Sequence, residues 1–305
     1  MVSWHNGRVP AEPVIVVRDL VKRFGEQTVL DGVNLEINPG ETMVIMGGSG
    51  SGKSTLLRHM IGSIFPDAGS VTLFGKNLAH LDEDGLNAVR KKFGILFQSG
   101  ALFNSLTIAE NVALPLQEHT SLASSIIEIQ VKIKLELVGL REHAEKYPAQ
   151  ISGGMKKRAG LARALALDPR VLFYDEPSAG LDPVTSAEID QLIMDLSRKI
   201  GVTSVVVTHE MDSAFRIADR MAMLDKGKML KVDTRQAFAT LRDHPGAKVD
   251  ELAESMQLIR QFLRGDAEGP ITRRRAQTNY ADDLLGVEAP RLTSAPGVEA
   301  SRVVK

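Results

Sequence analysis

The chain has 305 residues, of which 43% are apolar and 25% charged, an ordinary globular composition with length enough for one large domain or two smaller ones. Thirty-seven Lys and Arg face 38 Asp and Glu, so there is no basic excess of the kind that marks a nucleic-acid binder, and no nucleic-acid partner is expected. The absence of cysteine excludes disulfides and thiolate metal sites, and no stretch approaches the roughly 18 consecutive apolar residues of a membrane span.

In chain order, residues 1–13 read as a loose polar tail without the apolar core of a signal peptide. VIVVRDL (14–20), the segment around Leu35 to Ile37, and MVIM (43–46) read as strands, the last running straight into a glycine-rich turn. Ser54 to Ile61 reads as a helix, and VTLFGK (71–76) and KFGILFQ (92–98) as further strands. From about Thr107 to Leu167 the texture turns helical, with apolar residues three and four apart, as in Ile126, Ile129, Ile133 and Leu137. Strands return at VLFYD (171–175) and SVVVT (204–208), on either side of a helical stretch from Thr185 to Lys199. Residues 220–233 read as a hairpin turning at Asp225-Lys226-Gly227, and residues 234–264 as helical. Beyond Gly265, Pro, Ala, Gly, Thr and charge dominate, which predicts an extended, partly disordered tail. Strands alternating with helices predict an α/β core with a largely parallel sheet and a helical insert in its middle.

Gly47-Gly48-Ser49-Gly50-Ser51-Gly52-Lys53-Ser54 fits the phosphate-loop pattern G-x-x-x-x-G-K-[ST], with Thr55 following it into the helix. Glycines let the backbone wrap phosphate oxygens, successive N–H groups converge on the anion, and the following helix aims its positive end there. Lys53 would neutralise the β- and γ-phosphates of ATP, and the Ser54 hydroxyl would ligate Mg²⁺. The alternative, a glycine-rich turn with no ligand, requires a chance match on the order of one in a hundred from average residue usage. VLFYDEP (171–177) ends an apolar strand in two carboxylates, at the sheet edge where ligands bind in α/β folds. Asp175 would hold Mg²⁺ and Glu176 would orient the attacking water; alone, such a pair is as often a solvated strand end.

Four further features resemble the ABC ATPase family. Ile151-Ser152-Gly153-Gly154-Met155 resembles its signature sequence, Gln98 its Q-loop glutamine, Ser178-Ala179-Gly180-Leu181-Asp182 its D-loop, and His209 its switch histidine, all in the family's order. By itself Ser-Gly-Gly reads as a plain helix start; its place 23 residues before Asp175 favours the signature. Ser152 is a good N-cap, so the signature supplies a second anion-binding helix end. The resemblance implies a P-loop NTPase (RecA-like) core with a β-subdomain and an inserted helical subdomain of about residues 99–167. It assigns residues 14–240 to the ATPase domain and leaves 241–305 as a C-terminal extension. It also implies a head-to-tail homodimer in which the P-loop of one copy and Ser152, Gly153 and Gly154 of the other clasp one ATP. His209 would contact the γ-phosphate, Gln98 would sense it and reach Mg²⁺, and Phe24 would stack on adenine unless it is a core phenylalanine.

LFQSGALFNSLTIAENVALPLQEHT (96–120), the Met155 that ends the signature, and IRQFLRGDAEGP (259–270) resemble the ATPases of maintenance-of-lipid-asymmetry (Mla) phospholipid transporters. That resemblance implies a peripheral subunit on the cytoplasmic face of a bacterial inner membrane. Its partners would be a membrane permease, an MCE-domain lipid-binding protein and a small accessory subunit. A different solute, or a non-catalytic nucleotide-gated scaffold, are the other readings. Ala101, Leu102, Phe103 and Leu106 are apolar where family members grip the permease; they line that groove or belong to the core of the insert. Residues 246–258 read as an insertion relative to the Mla pattern, and the tail past Gly269 is longer than that pattern has.

Overall fold

The computed structural model describes residues 12–244 and 252–272; residues 1–11 of the predicted N-terminal tail, 246–251 of the predicted insertion and 273–305 of the predicted C-terminal tail lie outside the described residues. The chain divides into two compact units, residues 1–246 and 247–305.

In the first unit, β1 (Ile15–Phe24) and β2 (Gln27–Ile37) form a hairpin that pairs through β1 with β4 (Ala68–Leu73), and β5 (Lys76–Asn77) closes a four-stranded antiparallel sheet in the order β2-β1-β4-β5. Sequence patterning found only the last residues of β2. Along that strand Leu30, Val33, Leu35 and Ile37 are buried while Asp31, Gly32 and Asn34 face out, so its alternation is broken midway.

The second sheet has six strands in the order β10-β9-β3-β8-β7-β6: β3 (Thr42–Met46), β6 (Phe93–Leu96), β7 (Val171–Asp175), β8 (Thr203–Val207), β9 (Arg220–Asp225) and β10 (Lys228–Thr234). All neighbours are parallel except the β9–β10 hairpin. Every residue of β3 and β8 is buried, as expected of parallel strands covered on both faces. Phe93 of β6 meets Phe173 of β7 edge-to-face at 5.4 Å.

Helix α1 (Lys53–Met60) follows β3, and α2 (Glu83–Arg90) precedes β6. Periodicity did not mark α2, an eight-residue helix with Asp82 as N-cap and Glu83 and Asp84 in its first turn. The insert is α3 (Ile108–His119), α4 (Ser124–Leu137) and α5 (Gly153–Ala164). The stripe Ile126, Ile129, Ile133 and Leu137 does mark α4, but it is the helix's outer face; Ile127, Val131 and Leu135 pack inward. Both faces of α4 are apolar, so periodicity fixes the helix and leaves its orientation open.

Helix α6 (Pro183–Ile200) leads into β8, α7 (Met211–Ile217) joins β8 to β9, and α8 (Arg235–Arg242) ends the first unit's regular structure. The short α7, also absent from the sequence reading, is tied to α6 by Asp190. That fully buried carboxylate accepts from the Ser213 hydroxyl at 2.5 Å and pairs with Arg216 at 2.6 Å. In the second unit, α9 (Glu254–Arg264) ends at Gly265, and the Gln261 side chain accepts the Ile271 N–H at 2.7 Å.

Candidate functional site

The parallel strands of the second sheet deliver their carboxyl ends to one edge, and the predicted residues follow those ends. β3 runs into the glycine loop 47–52, β7 ends at Asp175 with Glu176 directly after it, and β8 is followed by Thr208 and His209. β6 stops at Leu96, so Gln98 stands two residues past the strand, exposed. Because β3, β8, β7 and β6 are consecutive neighbours, the spatial order at this edge is glycine loop, His209, acid pair, Gln98.

The glycine loop is shaped by sterics. Gly47 has φ +156°, and a Cβ there would overlap the carbonyl oxygen of Leu224; no other residue fits. Lys53, almost fully buried, donates to the carbonyls of Gly47 (2.7 Å) and Gly48 (3.0 Å). Burial lowers its pKa, and the carboxylates of Glu176 and Asp175 oppose that shift. Burial and the Glu176 charge raise the pKa of Asp175, against Arg58, Lys157 and Lys53. The Ser51 hydroxyl is buried without a partner inside the loop, and the Ser178 hydroxyl is likewise unpartnered after the acid pair. Ser54, at the second residue of α1, is exposed.

Glu176 and His209 touch directly: the carboxylate lies 2.9 Å from His209 Nδ1 and 3.4 Å from the His209 backbone N–H. The backbone of Glu176 is left-handed, with φ +49°, a conformation that L-residues with a Cβ resist. Its N–H donates to the Val207 carbonyl at 2.9 Å, and its carbonyl accepts from Lys157 Nζ at 3.1 Å.

Ser152 caps α5, its hydroxyl accepting the Met155 N–H at 3.3 Å. The two signature glycines differ. Gly153 is exposed, with only Leu181 Cδ2 within van der Waals reach of a Cβ, whereas a Cβ on buried Gly154 would overlap Thr185 Cγ2 at the start of α6. Gly154→Ala is therefore expected to cost about 1–3 kcal/mol of stability by overpacking. Adding Thr185→Ser, which removes that methyl and keeps the hydroxyl, should recover most of it; denaturant midpoints of the single and double variants check this. Asp182 caps α6, accepting from the N–H groups of Val184 (3.0 Å) and Thr185 (3.1 Å).

Phe24, at the tip of β1, is half exposed and 5.5 Å from Lys22 Nζ, so it is not a core residue. Phe103 is 52% exposed and Ala101 is exposed, while Leu102 and Leu106 are half-buried. Buried Asn111 holds this loop, accepting the Phe103 N–H at 2.8 Å and donating to the carbonyls of Phe103, Leu106 and Thr107. Arg163 of α5 donates to the carbonyls of Ala101 (2.7 Å) and Gly100 (3.3 Å) and stacks 5.9 Å from the Phe103 ring. Arg163 also lines a groove of about 750 Å³ with Asn87, Phe97, Pro115 and His119. Composition gave no sign of Asn111, Lys157 or Arg163; each is a polar residue inside a helical pattern, and the partners of Lys157 and Arg163 are distant in sequence.

Residues 30–179 match the family model described as ABC transporter. The probable ribonucleotide transport ATP-binding protein mkl of Mycobacterium leprae is 38% identical over 315 residues, 98% of this chain and 87% of its own. The chain belongs to the ABC transporter ATP-binding family. The intermembrane phospholipid transport system ATP-binding protein MlaF of Escherichia coli K12 is 40% identical to this ABC ATPase over 272 residues, 89% of this chain and 96% of that one. Among solved structures, the dimeric ATP-binding cassette MJ0796 bound to ADP and Pi superposes with TM-score 0.67 at 34% identity, covering 72% of this chain and 98% of its own. CbiO1 of Clostridium perfringens, part of the transporter complex cbiONQ, gives 0.70 at 28% identity, covering 75% and 91%. The fold is therefore the P-loop cassette expected from sequence, and the protein is an ATPase that binds nucleotide. No helix of the described residues is long and apolar enough to cross a membrane.

Proposed function

We propose that this ABC ATPase powers transport of phospholipid, or of a comparably apolar molecule, as a head-to-tail homodimer docked beneath a membrane permease at the cytoplasmic face of a bacterial inner membrane. The observation that carries the catalytic half is the Glu176–His209 contact at the sheet edge beside the glycine loop. In this reading the loop amides of Gly47 to Gly52, with Lys53, Ser54 and Thr55, hold the phosphates. Glu176 orients water, His209 holds Glu176 and faces the γ-phosphate, and Phe24 offers its exposed ring to adenine. Ser152, Gly153 and Gly154 of the second copy close the site. Hard oxygen donors suit Mg²⁺, which keeps several waters and takes one or two protein ligands besides the phosphates. The exposed Ser54 hydroxyl and the Asp175 carboxylate fit that role, with Gln98 as a third contact. No cluster of three or more His, Cys, Asp or Glu ligands occurs among the described residues, as suits an ion that arrives with its nucleotide. Bound there, Mg²⁺ would neutralise phosphate charge.

The lipid half rests on the likeness to MlaF along nearly all of that protein, and with it come an MCE-domain protein and a small accessory subunit as further partners. The permease would seat in the groove beside Arg163, with the Phe103 ring at its rim. Phe103→Asp is expected to weaken permease association by about tenfold or more, since a desolvated carboxylate would replace an aromatic anchor. ATP affinity should stay within about twofold, because the ring is exposed and its loop is held by backbone and Asn111. Co-purification and nucleotide titration check this, and equal loss of both would mean a folding fault.

A second reading, transport of a different solute, is favoured by the mkl relative, whose name concerns ribonucleotides and whose likeness spans 98% of this chain. Purification with the native permease and mass spectrometry of what co-purifies separates the two. Enriched phospholipid that stimulates turnover supports the first reading, whereas turnover stimulated by a ribonucleotide solute and not by lipid overturns it.

A further inference from the structure

The signature helix does more than present Ser152. Just over one turn into α5, Lys157 points inward, with only 5% of its surface accessible. The acceptor of its ammonium is the main-chain carbonyl of Glu176, 3.1 Å away. The carboxylates of Glu210, Glu176 and Asp175 are the charges that face it. A buried ammonium is ordinarily met by a carboxylate; here the hydrogen bond goes to the backbone of the residue whose φ is +49°.

The consequence is geometric. The two peptide planes that flank the Glu176 Cα are both pinned: its N–H by the Val207 carbonyl at 2.9 Å, and its C=O by Lys157 at 3.1 Å together with the Ala179 N–H at 3.2 Å. Fixing both planes fixes φ and ψ, and with them the direction of the Cα–Cβ bond. The carboxylate is thereby set against His209 Nδ1 at 2.9 Å. Without the lysine, the carbonyl keeps only the Ala179 N–H of the following turn, and the left-handed backbone loses the one restraint that ties it to α5.

We propose that Lys157 is the positioning residue for Glu176, and that through it the seating of a chain's own signature helix sets the aim of that chain's own hydrolytic carboxylate. In a head-to-tail dimer the start of α5 faces the partner's nucleotide, while its second turn holds the carboxylate that serves its own, so one helix joins the two sites. The inference rests on the reading of Glu176 as the residue that orients water.

The test is a double-mutant cycle on the full-length chain with ATP. Lys157→Met, which keeps the aliphatic stem and removes the ammonium, should lower kcat by about ten- to a hundredfold, the scale of a small misplacement of a reacting group. KM for ATP should stay within about twofold. In a Glu176→Gln background the same change should lower the residual rate by less than about twofold, because it acts only through the carboxylate. A Lys157→Met enzyme with wild-type kcat overturns the proposal. So does a loss that persists in full in the Glu176→Gln background, which would mean a general packing fault. If the methionine variant does not fold, Lys157→Leu, which likewise has no donor, takes its place and the same two readings decide. A wild-type rate for Glu176→Gln alone removes the underlying role of Glu176, an outcome distinct from a wild-type rate for Lys157→Met alone.

Discussion

Glu176→Gln is expected to abolish most turnover, by about 10²–10⁴-fold, while leaving ATP affinity within a few-fold of wild type. The substitution keeps the side chain's size and an amide oxygen to face His209 Nδ1 at 2.9 Å, giving up only the longer 3.4 Å contact from the His209 backbone N–H. What disappears is the negative charge proposed to polarise and align the attacking water. Because that charge also repels the γ-phosphate, its loss favours the state in which both copies grip uncleaved nucleotide. Hydrolysis splits one bound anion into two and weakens the clasp; a variant that binds and does not cleave should therefore accumulate as a closed dimer. Phosphate release measures the first effect and size-exclusion chromatography with ATP the second. Turnover at the wild-type rate would remove the role assigned to Glu176.

Lys53→Ala should fail earlier in the cycle. In the folded chain Lys53 clamps the loop through the Gly47 and Gly48 carbonyls, and the same ammonium is the cation proposed to meet the β- and γ-phosphates. Alanine removes both contributions while remaining a good helix former at the first residue of α1. Charge-assisted hydrogen bonds contribute about 1.5–3 kcal/mol each. Loss of the phosphate contacts should thus raise the Kd for ATP by at least about a hundredfold, equivalent to roughly 2.7 kcal/mol. Calorimetric or fluorescence titration reads this directly, and a wild-type Kd would show that the loop amides suffice. The two variants separate cleanly: one binds without cleaving, the other does not bind.

Much of the site was legible in the sequence because its chemistry is local. A run of glycines before Lys-Ser encodes its own convergence of amides, and an apolar strand ending in Asp-Glu encodes its own edge position. A serine before two glycines encodes a helix start. Each needs only neighbouring residues to have physical meaning. Elements whose cause is a distant partner were not legible. Helix α7 has seven residues and no side-chain cap; it is secured by a buried aspartate on α6, 23 residues before Ser213. The two signature glycines look equivalent in sequence, yet one leaves room and the other accommodates Thr185.

From its residues alone this chain is a P-loop ATPase of the ABC family with a helical insert between β6 and β7, and those residues name the candidate groups for its chemistry. Tertiary structure decided which of those groups meet. Along the chain the order is glycine loop, Gln98, Asp175 and Glu176, His209; across the sheet it becomes glycine loop, His209, acid pair, Gln98, because crossover connections place β8 and not β6 beside β3. That permutation brings His209 into contact with Glu176. Only the packing of α5 beneath the acid pair makes Lys157 a partner of the Glu176 backbone. Local propensity has no access to either outcome, since both arise from which faces are buried against one another once the sheet has formed.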